Sequence, residues 1–189
     1  MPKIIFIMWV SGSWKWTIID EILKFEHVSY VPSYVTRAMR PWEVNGRRYN
    51  FISKEEFNEM IKKWEFLEYE DNHHAWYYWT KLQEVIDLLE QGKNAIKEVD
   101  VKWLEKIKSE HKIDSEFASM FFDIPDELII KRDKWRAPMS EEELQQRLAS
   151  AHAEREKAKL ICDHIIMTDG SLEENVQRVR AVLDKILEG

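Results

Sequence analysis

The chain has 189 residues, a formal charge of −7, 44% hydrophobic and 33% charged residues. That length and balance describe a soluble globular domain with one good core. They exclude a general nucleic-acid coat while leaving room for a local basic pocket around a small anion. Cys162 is the single cysteine, which excludes an internal disulfide and marks it as an apolar filler in a reducing compartment, so the cytoplasm is the expected location.

The first element is the apolar run KIIFIMWV at residues 3–10, read as a strand buried on both faces. It is too short for a membrane span or a signal peptide. A helix is expected from Lys15, with Ile18, Ile19, Ile22 and Leu23 inward. Residues from about 33 to 83 change character, to short segments rich in tyrosine, valine and arginine, and predict an inserted lobe with its own strands. Three later helices begin with capping boxes, Ser53 with Glu56, Ser140 with Glu143 and Ser171 with Glu174. A further helix, KLQEVIDLLEQ, precedes Gly92 as its C-terminal cap. Short strands at 95–101, 118–123 and 163–168, each followed by a helical pattern, indicate βαβ units around a mostly parallel sheet.

The stretch WVSGSWKWT (9–17) lies between the first strand and the first helix, where a phosphate loop sits. Ser11, Gly12, Ser13, Lys15 and the Thr17 hydroxyl suit such a loop, with the lysine reaching the β/γ-phosphates. Trp9, Trp14 and Trp16 do not, because the loop needs bare backbone that reaches positive φ. Taken alone, the stretch also reads as an aromatic-rich turn with a chance lysine. Composition bears on the choice. The chain has five glycines where a domain of this length would carry about thirteen. Its nine tryptophans bring the sum to fourteen, an ordinary glycine content.

Further segments make the resemblance specific. SYVTRAMRPWEVNGRRYNF (33–51), EFLEYE (65–70) and AWYYWT (75–80) follow the phosphate loop in the order and spacing of the guanylate kinases, the nucleoside monophosphate kinases that phosphorylate GMP. The likeness runs over nearly the whole chain. It implies an α/β, three-layer P-loop NTPase fold with a parallel central sheet, an inserted GMP-binding lobe at 33–83 and a small lid at 132–147. The implied activity is transfer of the γ-phosphoryl group of ATP to GMP, or dGMP, with Mg²⁺. No nucleic acid or membrane is implied as partner, and the chain would be a monomer or dimer. A catalytically silent, protein-binding relative stays open, as does another nucleoside monophosphate kinase. Silent modules usually lose the loop lysine or lid arginines, whereas Lys15, Arg136 and Arg147 are present.

Within that frame the ATP site comprises Trp9, Val10, Ser11, Gly12, Ser13, Trp14, Lys15, Trp16 and Thr17, with Arg136 above it. Arg37 and Arg40, three residues apart, suit one phosphate, and Tyr49 and Tyr78 add hydroxyl donors. Guanine presents two adjacent N–H donors on its Watson–Crick edge, and a carboxylate accepts both, so Glu68 is the candidate for base recognition. By resemblance Ser33 and Thr80 take the remaining edge. Also by resemblance, Asp100 in AIKEVDVKW, with Glu98 beside it, lies near the phosphates and, with Thr17, near Mg²⁺. Taken alone, Asp100 reads equally as a helix cap, and Lys97 departs from the family's apolar strand. Arg136 and Arg147 match the two lid arginines, which spread over the transferring phosphoryl group. Ala137 replaces a lid glycine, and MTDG (167–170) replaces the family segment that touches adenine, which leaves Thr168 without an assigned contact. His73 and His74, adjacent in the lobe, read as surface residues.

All nine tryptophans fall on family glycine positions: Trp9, Trp14, Trp16, Trp42, Trp64, Trp76, Trp79, Trp103 and Trp135. The expectation is a gene whose UGA codons specify glycine, here read as tryptophan.

Overall fold

The structure is a computed structural model that describes residues 1–25, 27–63, 66–72, 76–110, 116–136 and 139–188; for 66, 68–72, 76, 110 and 136 it describes the backbone alone. Trp64, His73, His74 and Ala137 lie outside the described residues.

The apolar run forms strand β1 (Ile4–Trp9), and its alternation sends side chains to two cores. Ile4, Phe6 and Met8 pack with Val85, Leu104 and Ala151, from helices α3 (Leu82–Glu90), α4 (Val101–Glu110) and α6 (Glu141–Ile161). Ile5 and Ile7 pack with Ile18, Ile19, Val179 and Leu183 of α1 (Lys15–Ile22) and α7 (Leu172–Glu188). A strand buried on both faces therefore sits in the middle of three layers, as its unbroken hydrophobicity predicts. Its neighbours are β7 (Asn94–Glu98) and β8 (Phe117–Asp123), with β2 (Val28–Tyr30) and β9 (His164–Met167) at the edges. The order is β2-β7-β1-β8-β9, and every pair is parallel.

The chain leaves β1 toward β2 on one side, and β7 crosses over to β8 on the other. That reversal opens a crevice at the carboxyl end of β1, where α/β sheets bind ligands. The strand expected at 95–101 ends at Glu98, because Asp100 starts α4: its Oδ1 accepts the Lys102 N–H at 3.2 Å. The capping boxes of Ser53 and Ser140 are formed, and Ser171 and Glu174 exchange the same reciprocal bonds. Gly92 follows α3 with φ of 76° and returns its N–H to the Leu89 carbonyl.

A second sheet, β4-β3-β6-β5, lies in the inserted stretch and consists of β3 (Ser33–Val35), β4 (Tyr49–Phe51), β5 (Phe66–Asn72) and β6 (Trp76–Lys81). One face is covered by α2 (Lys54–Lys62), whose Phe57 stacks on Tyr77 at 4.3 Å and lies 4.5 Å from the fully buried Trp79 ring. The other face carries Tyr49, Ser33, Tyr78 and Thr80.

Between β8 and α6 lies α5 (Asp126–Arg136). No described helix is long and apolar enough to cross a membrane.

Candidate functional site: a phosphate loop facing a polar strand row

The loop between β1 and α1 has the backbone of an anion cradle. Gly12 has φ of 78°, and Trp14 is the only non-glycine among the described residues with positive φ, at 58°. A tryptophan in that left-handed conformation is strained by about 1–2 kcal/mol, whereas glycine adopts it freely. Of the described tryptophans, position 14 is thus the one where the backbone itself calls for glycine. The Ser13 hydroxyl is buried with no partner, an orphaned donor at the loop's centre.

The indoles change what surrounds the lysine. Lys15 Nζ lies 3.1 Å above the Trp9 ring and 4.3 Å from the Trp16 ring. Burial drives its pKa down to about 7, with Glu98 opposing and Lys97 and Arg48 adding to the fall. Trp14 stacks on Arg132 at 4.0 Å, and Arg132 Nη1 donates to the Gly12 carbonyl at 2.6 Å. A cavity of about 1000 Å³ extends from this loop, past Arg132 and Asp133 on α5, to Asp169 and Gly170 beyond β9. Thr168 is fully buried, its one hydroxyl proton shared between the Ser13 and Asp123 carbonyls at 3.3 and 3.2 Å. It braces the phosphate loop from beneath.

The lobe brings its residues into one line. Tyr49 pairs with Ser33 across β4 and β3, and Glu68 pairs with Thr80 across β5 and β6. The register that pairs Tyr34 with Trp79 and Val35 with Tyr78 sets Ser33 alongside Thr80. Tyr49, Ser33, Thr80 and Glu68 therefore occupy one row across four strands, although residues 33 and 80 are 47 positions apart. The side chain of Glu68 lies outside the described residues.

Beside that row Arg37 Nε donates to the Tyr78 hydroxyl at 2.8 Å, and its guanidinium lies 5.2 Å from the Tyr49 ring. Its two terminal nitrogens donate to Glu43 at 2.7 and 2.5 Å. Glu43 Oε2 also accepts the Arg40 backbone N–H at 2.8 Å. The Arg37 hydrogen bonds hold the Glu43 carboxyl down at about 2. The Arg40 guanidinium stands apart, 6.0 Å from the exposed Trp42 ring.

Within the segment expected as a lid, Arg147 on α6 reaches back to the loop, donating to Ser11 Oγ and to Asp133 Oδ2, each at 3.3 Å. Asp133 is 2% exposed and also accepts from Ser11 Oγ. The side chain of Arg136 lies outside the described residues. Asp100 stands at the amino end of α4, half exposed, with its Oδ2 4.0 Å from Lys102 Nζ.

Three partners escape sequence reasoning: Glu43, Asp133 and Arg132. Glu43 lies inside the RPWEVNG segment, so its place was visible but its pairing with Arg37 was not. Asp133 follows an arginine in a polar helix, and nothing in the local pattern marks it as buried.

A family model described as guanylate kinase matches residues 1–186. Among curated relatives, the guanylate kinase of Malacoplasma penetrans is 33% identical over 98% of this chain and 95% of its own length. That of Clostridium tetani is 37% identical over 58% of this chain, and there the chain spans about half (52%) of the relative's length. A crystal structure of guanylate kinase from Anaplasma phagocytophilum superposes with a TM-score of 0.71, at 21% identity, over 97% of this chain and 85% of that one. It shares this fold.

Proposed function

Because the chain belongs to the guanylate kinase family, we propose that it transfers the γ-phosphoryl group of ATP to GMP, giving ADP and GDP. The observation that carries the reading is the pairing of two sites. A loop with the backbone of a phosphate cradle stands at the end of β1, and a polar row of Tyr49, Ser33, Thr80 and Glu68 lies on the lobe sheet.

The nucleophile is an oxygen of the GMP phosphate, already anionic at neutral pH, so the reaction needs no strong base. Positioning and charge neutralisation supply the acceleration. Lys15 and the loop N–H groups hold the ATP phosphates, and Ser13 supplies its unpaired hydroxyl there. Arg37, Tyr49 and Tyr78 take the GMP phosphate, which displaces Glu43 from Arg37, and Arg40 closes from the exposed loop. Glu68 accepts the two N–H groups of guanine, while Ser33 and Thr80 complete the base edge. Arg147 and Arg136 cover the transferring group and exclude water.

Thr17 and Asp100 offer a hydroxyl and a half-exposed carboxylate, hard oxygen donors of the kind Mg²⁺ takes, so the donor set fits the ion. When bound there it would neutralise phosphate charge. The cytoplasm remains the proposed location.

Glycine at the nine tryptophan positions belongs to the same reading, and the left-handed backbone at position 14 supports it. In the tryptophan-bearing chain, four indoles line the cavity where phosphates would sit, three of them from the loop itself. The test is a coupled assay of ADP release with GMP, AMP and UMP as acceptors, run on the tryptophan and glycine forms. Turnover with GMP alone supports the reading. GMP bound without turnover in the glycine form replaces it with the silent module.

A further inference from the structure

Lys97 is fully buried in the middle of β7, between β2 and β1, and the phosphoryl-transfer scheme above gives it no task. Its Nζ donates to the Val31 carbonyl at 3.2 Å and to Ser33 Oγ at 2.5 Å, and lies 3.6 Å from Glu98 Oε1. Ser33 Oγ in turn donates to Glu98 Oε1 at 3.2 Å, while Glu98 Oε2 accepts the Tyr30 hydroxyl at 2.5 Å. A buried ammonium loses several kcal/mol of hydration, and an apolar side chain at such a place is often at least as stabilising. The cation therefore calls for a role beyond filling space.

A serine hydroxyl has one proton and two lone pairs. At Ser33 the proton is committed to Glu98 and one lone pair to Lys97. The hydroxyl is left able to accept one more hydrogen bond and unable to donate one. Guanine and hypoxanthine share a 6-carbonyl acceptor and an N1–H donor; guanine alone adds an amino group at C2. A hydroxyl restricted to accepting cannot bond the carbonyl and matches an N–H; with Glu68 taking N1–H and one amino proton, the N–H left for it is the second proton of the 2-amino group, which hypoxanthine lacks. Val31 and Ser33 also flank the point where the chain passes from the core sheet into the lobe sheet, so the same ammonium fixes the polar row above the core.

We propose that Lys97 is a positioning residue for base selection: while Glu98 holds the Ser33 proton, Lys97 occupies one lone pair and so fixes the direction of the other, which tunes the lobe to a purine monophosphate carrying a 2-amino group. This rests on the reading of the lobe as the GMP site. Calorimetric titration with GMP and with inosine monophosphate tests it, using the unsubstituted protein, Lys97→Met, Ser33→Ala and the double variant. No ATP is needed, so the state of the phosphate loop does not enter.

The unsubstituted protein should prefer GMP, and Lys97→Met should shrink that preference about tenfold, the scale of one charge-assisted hydrogen bond. The double variant should match Ser33→Ala, because Lys97 acts through Ser33. An unchanged preference in Lys97→Met, or independent effects of the two substitutions, overturns the proposal. If thermal melts show Lys97→Met unfolded, Ser33→Ala decides, and an unchanged preference there overturns it equally. No GMP binding by the unsubstituted protein overturns both this proposal and the kinase reading. GMP bound but never phosphorylated by the form with glycine at the nine tryptophan positions overturns the kinase reading alone.

Discussion

Replacing Trp14 by glycine separates backbone demand from side-chain packing. At φ of 58° the substitution relieves about 1–2 kcal/mol of left-handed strain. Against this, glycine loosens the unfolded chain by about 0.5–1 kcal/mol. Loss of the Arg132 stack on a ring that is 43% exposed costs about 0.5–1 kcal/mol more. The sum lies within about 1 kcal/mol of zero, or a shift of roughly 2–4 °C in Tm for a chain of this size.

Trp79→Gly is the control. That ring is fully buried, stacked on Tyr34 at 5.4 Å and tilted against Phe57 at 4.5 Å. Its loss costs about 3–5 kcal/mol as a truncation to alanine, and glycine in a strand adds about 0.5–1 kcal/mol. Thermal unfolding followed by circular dichroism should show Trp14→Gly melting near the parent and Trp79→Gly about 7–24 °C lower, by the same scaling. An ATP titration should show Trp14→Gly binding at least about tenfold tighter, since one indole no longer fills the phosphate site. Equal destabilisation of the two variants, or unchanged ATP affinity, would refute the claim that position 14 needs a bare backbone.

Other expectations follow from the site's charges. Lys15 titrates near 7 in the tryptophan-bearing chain because burial disfavours its charged form. ATP binding restores the proton, so affinity should fall as pH rises above 7, toward tenfold per unit. With Trp9 and Trp16 replaced by glycine, that fall should move to higher pH, and affinity measured from pH 6 to 9 checks it. Glu43 is held at about 2 by Arg37, below the value it has unfolded. Its stabilising contribution is present above about 4.5 and is lost as pH falls toward 2, so Tm over that window should drop less in Glu43→Gln than in the parent. Glu68→Gln should raise KM for GMP about a hundredfold or more while leaving KM for ATP nearly unchanged, because an amide cannot accept two N–H groups. Arg147→Met should lower kcat about 10²–10³-fold with little change in either KM; an effect confined to KM would remove Arg147 from the transfer step.

Legibility followed the range of the physical signal. Period and capping are local, so the buried β1, the helix starting at Lys15 and the boxes at Ser53, Ser140 and Ser171 were readable from a few residues each. The inserted stretch was readable as strands, but its register was not. That Tyr49, Ser33, Thr80 and Glu68 form one row depends on pairings between segments up to 47 positions apart. Asp100 was ambiguous for the opposite reason: a carboxylate one residue before a helix caps it whatever else it does, and the Lys102 N–H takes that role here. Charges that settle into the interior were least readable. Lys97 and Asp133 sit in sequences whose local pattern carries no sign of burial, and their partners Ser33 and Arg147 lie 64 and 14 residues away.

The same structure that favours glycine at position 14 sets a condition on the other eight. Trp79 fills the space between α2 and the lobe sheet, and a glycine there leaves that space empty unless Phe57 and Tyr77, already stacked on each other, close over it. In a protein with glycine at all nine positions, α2 should lie closer to β6, and Phe57 should take the place of the indole against Tyr34. The protein from its natural source should then show tyrosine emission alone, with no tryptophan fluorescence. Chemical shifts of the Phe57 and Tyr34 rings should differ from those of the tryptophan form. Tryptophan emission from the natural protein would refute the recoding outright. It would leave a phosphate loop whose lysine lies between two indoles and whose first helix begins on a strained residue.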